Sequence, residues 1–230
     1  MRIAILANSL PAAVTIYDEV QTLPDTEVFV LLAPVSGDGK LFEHVARFAA
    51  KSDRLKSLEL VSKRAVVRLR KPFQHPESIA RLKELKFDLG LHKSGNIYRR
   101  DTIECFRLGI LNAHIGLLPK YRGRSVMEWS LVQGDPPGIS VFFVDEGIDT
   151  GRRIVCSETV DVSPCPTISE AKQKLFNLDA KFYRRAIELL QHDETKFQVN
   201  DGSGHRYYVM SDLFQEVAAK SLAANPSSKI

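Results

Sequence analysis

Three polar side chains in the middle of the chain have the types needed for acyl transfer to an amine: Asn112, His114 and Asp149. An amide N–H from Asn112 can stabilise the negative charge that develops on an attacked carbonyl oxygen. His114 can donate a hydrogen bond or shuttle the proton that the amine releases. A carboxylate at Asp149 can orient that imidazole or raise its pKa. No serine or cysteine occupies a nucleophile's position in this set, which indicates direct attack by the amine.

The spacing of the three residues is compatible with one cleft. Asn112 and His114 lie two apart where a predicted strand gives way to a loop, so both side chains point to the same side. Asp149 lies in a glycine-flanked loop that leaves another predicted strand. In open α/β sheets the cleft lies beyond the carboxyl ends of the strands. On spacing alone, the alternative interpretation is three ordinary loop residues, because Asn, His and Asp are common in loops.

The first half of the chain predicts the sheet that positions these residues. Residues 3–7, 28–32 and 89–92 are short apolar runs typical of strands, and residues 76–85 carry apolar side chains at helical spacing. This alternation predicts an α/β fold with a mainly parallel sheet flanked by helices. Residues 8–13 lack a G-x-G-x-x-G and contain Pro11, so we interpret them as a loop without an ordinary dinucleotide site.

The second half predicts further strands and helices before a short appendage. Ser125 and Glu128 resemble a capping box at the start of a helix, and Thr167 or Ser169 caps a later one. We expect a catalytic domain over residues 1–190 and a C-terminal appendage over residues 191–230. The predicted elements are strands at 109–112, 139–144 and 153–160, helices at 125–133, 169–190 and 212–223, a loop at 114–124 and an apolar stretch at 207–210.

Composition narrows the class of protein. The chain has 230 residues, 44% of them hydrophobic, and a net charge of +4, which does not favour a general nucleic-acid binder. The amino-terminal apolar run is too short for a signal peptide, and no stretch approaches the length of a membrane span. The three cysteines fit neither a metal site nor a disulfide framework. We therefore expect a cytoplasmic protein with no metal and no membrane partner.

Five basic residues between positions 63 and 71 form the clearest charged cluster. They are interleaved with apolar residues, which is typical of a solvated edge strand or loop. Lys and Arg are also the usual partners of phosphate oxygens, so a grip on a phosphorylated substrate is the second interpretation. The basic residues are Lys63, Arg64, Arg68, Arg70 and Lys71.

Two motifs resemble the signatures of a known enzyme family. Residues 112–123, NAHIGLLPKYRG, resemble the N-x-H-x-x-L-L-P-x-Y-R-G motif of the formyltetrahydrofolate-dependent formyltransferases. Residues 138–151, GISVFFVDEGIDTG, resemble the strand and D-x-G-x-D-x-G loop of the same family. The motifs stand in the family's order, and the resemblance is clearest from Phe87 to Val155. It implies a Rossmann-like formyltransferase fold.

The resemblance also implies a role for each matching residue. Asn112 and His114 would hold the formyl oxygen, Asp149 would help His114 in proton transfer, and 10-formyltetrahydrofolate would be the formyl donor. For Tyr98, which the resemblance places near the folate, the alternative is a core aromatic at a strand end. The residues implied to enclose the pterin of the folate are Gly95, Asn96, Ile97 and Tyr98 in one loop and Asp145, Glu146, Gly147 and Ile148 in another.

The identity of the acceptor amine is inferred by arguing against two of the family's known acceptors. No glycine-rich loop follows the first predicted strand to cradle a phosphate, which argues against glycinamide ribonucleotide. Only about forty residues follow Leu190, fewer than the second domain of methionyl-tRNA formyltransferases needs. We therefore expect an amino sugar on a nucleotide carrier. The alternatives are a methionyl-tRNA formyltransferase-like enzyme or a non-catalytic folate- or nucleotide-binding relative. The residues expected to bind the acceptor are Lys120, Arg122, Gly123 and Arg124, with Trp129 or Tyr208 as candidates for stacking on a base.

Two further features concern packing. Phe142 stands where many relatives carry a histidine, and we expect it to pack in the core. The helix that begins near Asp212 is expected to pack on its own domain or on a second subunit, and a homodimer is the expected oligomer.

Overall fold

The computed structural model describes residues 1–35, 65–192 and 196–224. The strands are β1 (Arg2–Ala7), β2 (Glu27–Leu32), β3 (Val66–Arg68), β4 (Leu89–Lys93), β5 (Gly109–His114), β6 (Tyr121–Gly123), β7 (Gly138–Phe143), β8 (Arg153–Thr159), β9 (Gln198–Val199) and β10 (His205–Tyr207). The helices are α1 (Leu10–Val20), α2 (Pro76–Leu85), α3 (Arg100–Ile103), α4 (Val126–Val132), α5 (Ile168–Gln191) and α6 (Asp212–Ala224).

The expected mainly parallel sheet is present. Its strand order is β3-β2-β1-β4-β5-β7-β8-β9. The first five strands run parallel, and the last three alternate in direction. β6 and β10 form a separate parallel pair. The carboxyl ends of β1, β4 and β5 therefore meet at one edge of the sheet, which is the edge where ligands bind in such folds.

Helices cover both faces of the sheet, as the continuous apolar run of β1 requires. Ile3 and Ile5 belong to a core shared with α1 and α5, whereas Ala4 and Leu6 belong to the core under α2. Successive side chains of a strand point to opposite faces, so one short strand contributes to both cores. The sheet is thereby held rigidly behind the loops that leave its edge.

The predicted strands and long helices are confirmed, most of them within two residues of their predicted ends. The bounds of α2 match the prediction at both ends. Thr167 caps α5 as expected, since its hydroxyl accepts a hydrogen bond of 3.2 Å from the backbone N–H of Glu170. That bond pairs one of the N–H groups that the first turn of a helix leaves free.

Three local predictions were wrong. Helix α1 begins at Leu10, inside the predicted loop, because a proline in the first turn of a helix loses no hydrogen bond there. Ser125 does not cap α4, since its hydroxyl accepts a hydrogen bond from the N–H of Met210. Glu128 is buried in an ion pair with Lys172 instead of completing a capping box. The predicted loop at 114–124 also contains the strand β6. Its partner strand, β10, is far away in the sequence, so the local sequence did not indicate β6.

The basic segment lies partly outside the described residues, which begin again at position 65. In the described part, Val66 to Arg68 form the edge strand β3, and Arg68, Arg70 and Lys71 are exposed. This placement agrees with the edge-strand interpretation. Phosphate binding by this segment stays a prediction.

The division of the chain at residue 190 also stays a prediction. Residues of the expected appendage pair with both sheets, through β9 on β8 and β10 on β6. Its last helix, α6, contacts α4.

All three cysteines are free, and Cys105 and Cys156 are buried. Within the described ranges, no helix is long and apolar enough to cross a membrane.

Candidate active site

The site opens where β4 and β5 separate. Their pairing ends at Leu91 and Leu111, one residue before Asn112. Beyond that point the hydroxyl of Tyr183, from α5, accepts a hydrogen bond of 2.9 Å from the N–H of Ala113 and donates one of 2.6 Å to the carbonyl of His92. The tyrosine therefore satisfies the backbone groups that the separating strands leave unpaired.

The structure brings the three predicted catalytic side chains together. The Oδ1 atom of Asp149 accepts a hydrogen bond of 3.5 Å from the amide of Asn112. Its Oδ2 atom lies 3.6 Å from Nδ1 of His114, and the side chains of His114 and Asp149 are only 7% and 11% exposed. Oδ2 also accepts a hydrogen bond of 2.9 Å from the N–H of Gly123. The carboxylate thus contacts both of its expected partners.

The hydrogen bonds of His114 define where its protons lie. Nε2 is 2.9 Å from the carbonyl oxygen of Tyr121. A carbonyl oxygen only accepts, so Nε2 carries a proton and donates it. In a neutral imidazole the other nitrogen, Nδ1, is then unprotonated, and it faces the Asp149 carboxylate. An unprotonated imidazole nitrogen is a proton acceptor, and a nearby carboxylate stabilises the positive charge that a proton brings.

A cavity of about 300 Å³ adjoins the three side chains. From the first loop implied to bind folate, Gly95, Asn96, Ile97 and Tyr98 line it. Asp145, Gly147 and Ile148 line it from the second loop, whereas Glu146 lies outside the wall and accepts a hydrogen bond from the N–H of Arg100. Both loops thus border the same cavity as Asn112, His114 and Asp149.

Internal hydrogen bonds shape both loops. The N–H of Gly95 donates to the Asn8 side chain at the end of β1. In the second loop, Oδ1 of Asp145 accepts from the N–H of Gly147 and from the hydroxyl of Thr150. An aspartate that bonds to the backbone two residues later closes a tight turn. These hydrogen bonds therefore define the conformation of the loops that border the cavity.

Tyr98 packs in the core and also lines the cavity. Its ring packs edge-on against Phe73 and is 2% exposed, as expected of a core aromatic, while its contact with folate stays a prediction. Its hydroxyl lies 3.0 Å from Nδ1 of His92 and 2.9 Å from the hydroxyl of Ser94. Burial raises the pKa of this phenol well above its ordinary value. The hydroxyl therefore stays protonated and serves as a hydrogen-bonding group.

The four residues expected to bind the acceptor separate into two pairs. Gly123 and Arg124 line the cavity. Lys120 forms an ion pair with Asp135, and Arg122 donates to the carbonyl of Gly202, so these two lie outside its wall. Whether any of the four contacts an acceptor stays a prediction.

The two aromatic candidates for base stacking differ in their surroundings. Trp129 lies between the rings of Tyr207 and Phe214, with centroid distances of 5.4 and 5.5 Å. Tyr208 is 65% exposed, and the guanidinium of Arg206 lies 5.2 Å from its ring centroid. Trp129 therefore has a packing role, and Tyr208 remains available. Phe142 packs with Leu118 and Ile154, as expected, and also reaches the cavity.

Sequence reasoning missed Asn200, which is 1% exposed. Its side-chain amide donates to the carbonyl of Asp149 at 3.0 Å and to that of Gly151 at 3.2 Å. Asp149 has a left-handed backbone with φ of 52°, which is uncommon for a residue with a side chain. Asn200 therefore holds the loop in a conformation that the loop's own sequence does not favour. Nothing in the polar segment around it signals this contact.

Sequence reasoning also missed His92, which lines the cavity from the end of β4. Burial lowers its pKa from 6.5 to about 4, and Lys93 adds to this, while the nearby Asp149 opposes it. The ring is therefore neutral near pH 7. In the part of the chain that the structure describes, no group of three or more His, Cys, Asp or Glu residues is arranged to hold a metal ion.

The chain is similar to members of a known protein family. A model of the formyl transferase family matches residues 42–187, more than half of the chain. A methionyl-tRNA formyltransferase from Clostridioides difficile is 30% identical over 114 residues, which are 49% of this chain and 37% of that protein. One from Kosmotoga olearia is 33% identical over 133 residues, 57% of this chain and 42% of that protein. The chain thus spans about two fifths of the length of these curated relatives.

Solved structures share the fold at low sequence identity. A 4-N formyltransferase from Francisella tularensis has a TM-score of 0.65 and 14% identity, with 98% of this chain and 89% of that chain covered. A phosphoribosylglycinamide formyltransferase from Bacillus halodurans has a TM-score of 0.60 and 21% identity, with 84% and 97% covered. A formyltransferase from Anoxybacillus kamchatkensis, in complex with UDP-4,6-dideoxy-4-formamido-L-AltNAc and tetrahydrofolate, has a TM-score of 0.55 and 17% identity, with 96% and 97% covered. The chain belongs to the formyl transferase family.

Proposed function

We propose that the chain transfers a formyl group from 10-formyltetrahydrofolate to a primary amine. One observation carries the proposal: the Asp149 carboxylate lies between the amide of Asn112 and the imidazole of His114, at the wall of a cavity. A purely binding protein does not need a histidine whose free nitrogen faces a buried carboxylate. Membership of the formyl transferase family supports the same reaction.

The cavity is suited to the donor. Its wall combines apolar side chains, such as Phe142 and Val144, with polar groups on the two loops, which is typical of sites for heterocyclic ligands. We place the pterin against Gly95 to Tyr98 and Asp145 to Ile148. When bound there, 10-formyltetrahydrofolate supplies an activated formyl carbon.

The three side chains would divide the chemistry. The Asn112 amide N–H would donate to the formyl oxygen as negative charge develops on it. Nδ1 of His114 would accept the proton that the attacking amine loses, because Nε2 is already committed to the carbonyl of Tyr121. Asp149 would stabilise the imidazolium that results. The proton is then available to the leaving nitrogen of the donor.

For the acceptor, we propose the amino group of a nucleotide-linked sugar. Arg124 lies at the cavity wall, and no ion pair to its guanidinium is present within the described ranges. Arg206 and the exposed ring of Tyr208 offer a cation and a stacking surface, which suits a base and a diphosphate. A sugar nucleotide is bound in the solved relative from Anoxybacillus kamchatkensis.

The alternative acceptor is methionyl-tRNA, and it is favoured by the names of the curated relatives. The two acceptors are separated by a panel assay. The purified chain is incubated with 10-formyltetrahydrofolate and, in turn, with amino-sugar nucleotides, methionyl-tRNA and glycinamide ribonucleotide. Release of tetrahydrofolate is followed spectroscopically. We expect turnover with an amino-sugar nucleotide, and turnover with methionyl-tRNA alone would overturn the acceptor assignment.

A further inference from the structure

His92 presents an unassigned polar group to the active-site cavity. It is the fourth residue of β4, and it lies outside both motifs that carry the family resemblance. Leu91, which precedes His92, and Ser94, which follows the strand, are buried. An imidazole in such surroundings costs free energy unless its polar atoms are paired. The pairing of each ring nitrogen therefore decides what His92 does.

A chain of hydrogen bonds fixes the proton on one of these nitrogens. The hydroxyl oxygen of Ser94 accepts from the backbone N–H of Asn96 at 3.4 Å and from its side-chain amide at 3.2 Å. With both lone pairs engaged, Ser94 directs its own hydrogen to the hydroxyl of Tyr98, 2.9 Å away. Tyr98 then donates its hydrogen to Nδ1 of His92 at 3.0 Å. Nδ1 is an acceptor, so the neutral ring carries its proton on Nε2.

The donors of this chain are used internally except at its last member. Ser94 donates to Tyr98 and Tyr98 donates to His92, and both Ser94 and Tyr98 are more than nine-tenths buried. Nε2 of His92 has no hydrogen-bond partner within the described ranges. Because burial keeps the ring neutral near pH 7, Nε2–H is a single uncharged donor at the cavity wall.

We propose that Nε2–H of His92 donates a hydrogen bond to an acceptor atom of the pterin ring of the folate donor. The inference rests on the proposed function and deepens it. The pterin is favoured over the acceptor amine because Tyr98, the direct partner of His92, belongs to the loop proposed to enclose the pterin. A reduced pterin offers a carbonyl oxygen and an unprotonated ring nitrogen as acceptors. A fixed neutral donor distinguishes such a ring from an apolar ring of the same shape.

The test is the affinity of the full chain for tetrahydrofolate, measured by isothermal titration calorimetry. His92→Leu replaces the imidazole with an apolar side chain of similar size and so removes the donor. We expect its Kd to rise about tenfold, the effect of losing one hydrogen bond at a buried site. His92→Gln keeps a side-chain N–H, and its Kd should stay within about threefold of the wild type. His192→Leu, an exposed position at the end of α5, is the matched control and should bind as the wild type does.

A fourth variant tests the hydrogen-bond chain itself. Tyr98→Phe removes the hydroxyl that fixes the proton of His92 but leaves the imidazole in place. The proton then distributes over both nitrogens, so the loss of affinity should be smaller than in His92→Leu. Thermal melting of each variant shows whether it is folded. In turnover assays, His92→Leu should raise the KM for 10-formyltetrahydrofolate more than it lowers kcat.

The possible outcomes separate the inference from the function on which it rests. An unchanged Kd in His92→Leu, with clear binding by the wild type, overturns the inference and leaves the function standing. Equal weakening in His92→Leu and His92→Gln also overturns it, because the effect would then be one of packing. Failure of the wild type to bind tetrahydrofolate contradicts both together.

Discussion

At the scale of single residues, the site depends on groups whose protonation the surrounding structure dictates. Nε2 of His114 is held protonated by a backbone carbonyl, and Nδ1 of His92 is held unprotonated by a tyrosine hydroxyl. The two histidines therefore face the cavity with opposite properties: a proton acceptor in His114 and a proton-bearing donor in His92. This difference has consequences that are measurable without any substrate.

The first prediction concerns stability in acid. The folded pKa of His92 is about 4, below the ordinary 6.5. Between these values the unfolded chain binds a proton at this position and the folded chain does not. The neutral ring of His92 therefore contributes fully to the free energy of unfolding above pH 6.5. This contribution is lost as the pH falls towards 4, which lowers the free energy of unfolding by up to about 3 kcal/mol. Urea unfolding at pH 7.0, 5.5 and 4.5 should show a steeper loss for the wild type than for His92→Leu. Parallel losses in the two proteins would contradict this account.

The second prediction concerns Gly123, whose N–H holds the Asp149 carboxylate. Its φ is +99°, and an added Cβ would collide with the carbonyl of Tyr207. Gly123→Ala should therefore shift the backbone and lower the transfer rate by about tenfold or more, since small misplacements of catalytic groups are costly. Gly134→Ala is the matched control: its φ is +75°, but an added Cβ meets nothing within 4 Å. Both variants should lose some stability, and only Gly123→Ala should lose activity. Equal activity in both would argue against this role of Gly123.

At the scale of elements, the site is assembled from parts that are far apart in the sequence. The strand β5 supplies Asn112 and His114, and the loop between β7 and β8 supplies Asp149. The segment after β9 fixes that loop through Asn200. The helix α5 holds β4 and β5 apart through Tyr183. The arrangement of the three proposed catalytic side chains therefore depends on segments beyond those that carry the family motifs.

The third prediction follows from Asn200. Asn200→Ala leaves the carbonyls of Asp149 and Gly151 without their amide donor, at a cost of about 1–3 kcal/mol each if no water replaces it. The loop should relax from its left-handed conformation and move the Asp149 carboxylate, so we expect kcat to fall about tenfold or more. Asn177→Ala serves as the control, because its exposed side chain accepts a hydrogen bond from Gln173 on the surface of α5. A kcat equal to that of the control would refute the assignment.

The elements that the sequence predicted well are those with strong local signals. The buried strands and the amphipathic α5 follow from their hydrophobic periodicity, and α2 from its pattern and its first-turn proline. The proposed catalytic set was predicted because Asn112, His114 and Asp149 fall within two recognisable motifs. Contacts made over long sequence distances, such as Asn200 with Asp149, left no local signal. The helix cap predicted at Ser125 is absent for the same reason, because its hydroxyl accepts a hydrogen bond from Met210, far away in the sequence, rather than from its own helix.

At the scale of the whole molecule, the helix α6 presents an exposed apolar surface. On α6, Ala218 and Leu222 face the core, whereas Leu213, Phe214 and Val217 are 69%, 44% and 40% exposed. Exposed apolar faces of this kind often mark an interface. The expected homodimer is therefore still a prediction, and this face is the surface that we assign to it.

The fourth prediction tests that oligomeric state. Light scattering after gel filtration should give twice the chain mass of 25.8 kDa. Leu213→Glu places a charge on the exposed face of α6 and should yield the single-chain mass. Glu77→Gln, on the distant helix α2, should not change the mass. A single-chain mass for the wild type at micromolar concentration would count against the dimer.

The central claim is that Asn112, His114 and Asp149 together perform formyl transfer. Its most direct test compares the wild type with His114→Asn in two measurements on the same preparations: the rate of tetrahydrofolate release with a productive acceptor, and the Kd for tetrahydrofolate. Removing the proton acceptor should lower the rate at least about 100-fold, the usual contribution of general acid–base catalysis, while the Kd stays within about threefold. A His114→Asn variant that turns over at the wild-type rate would contradict the account.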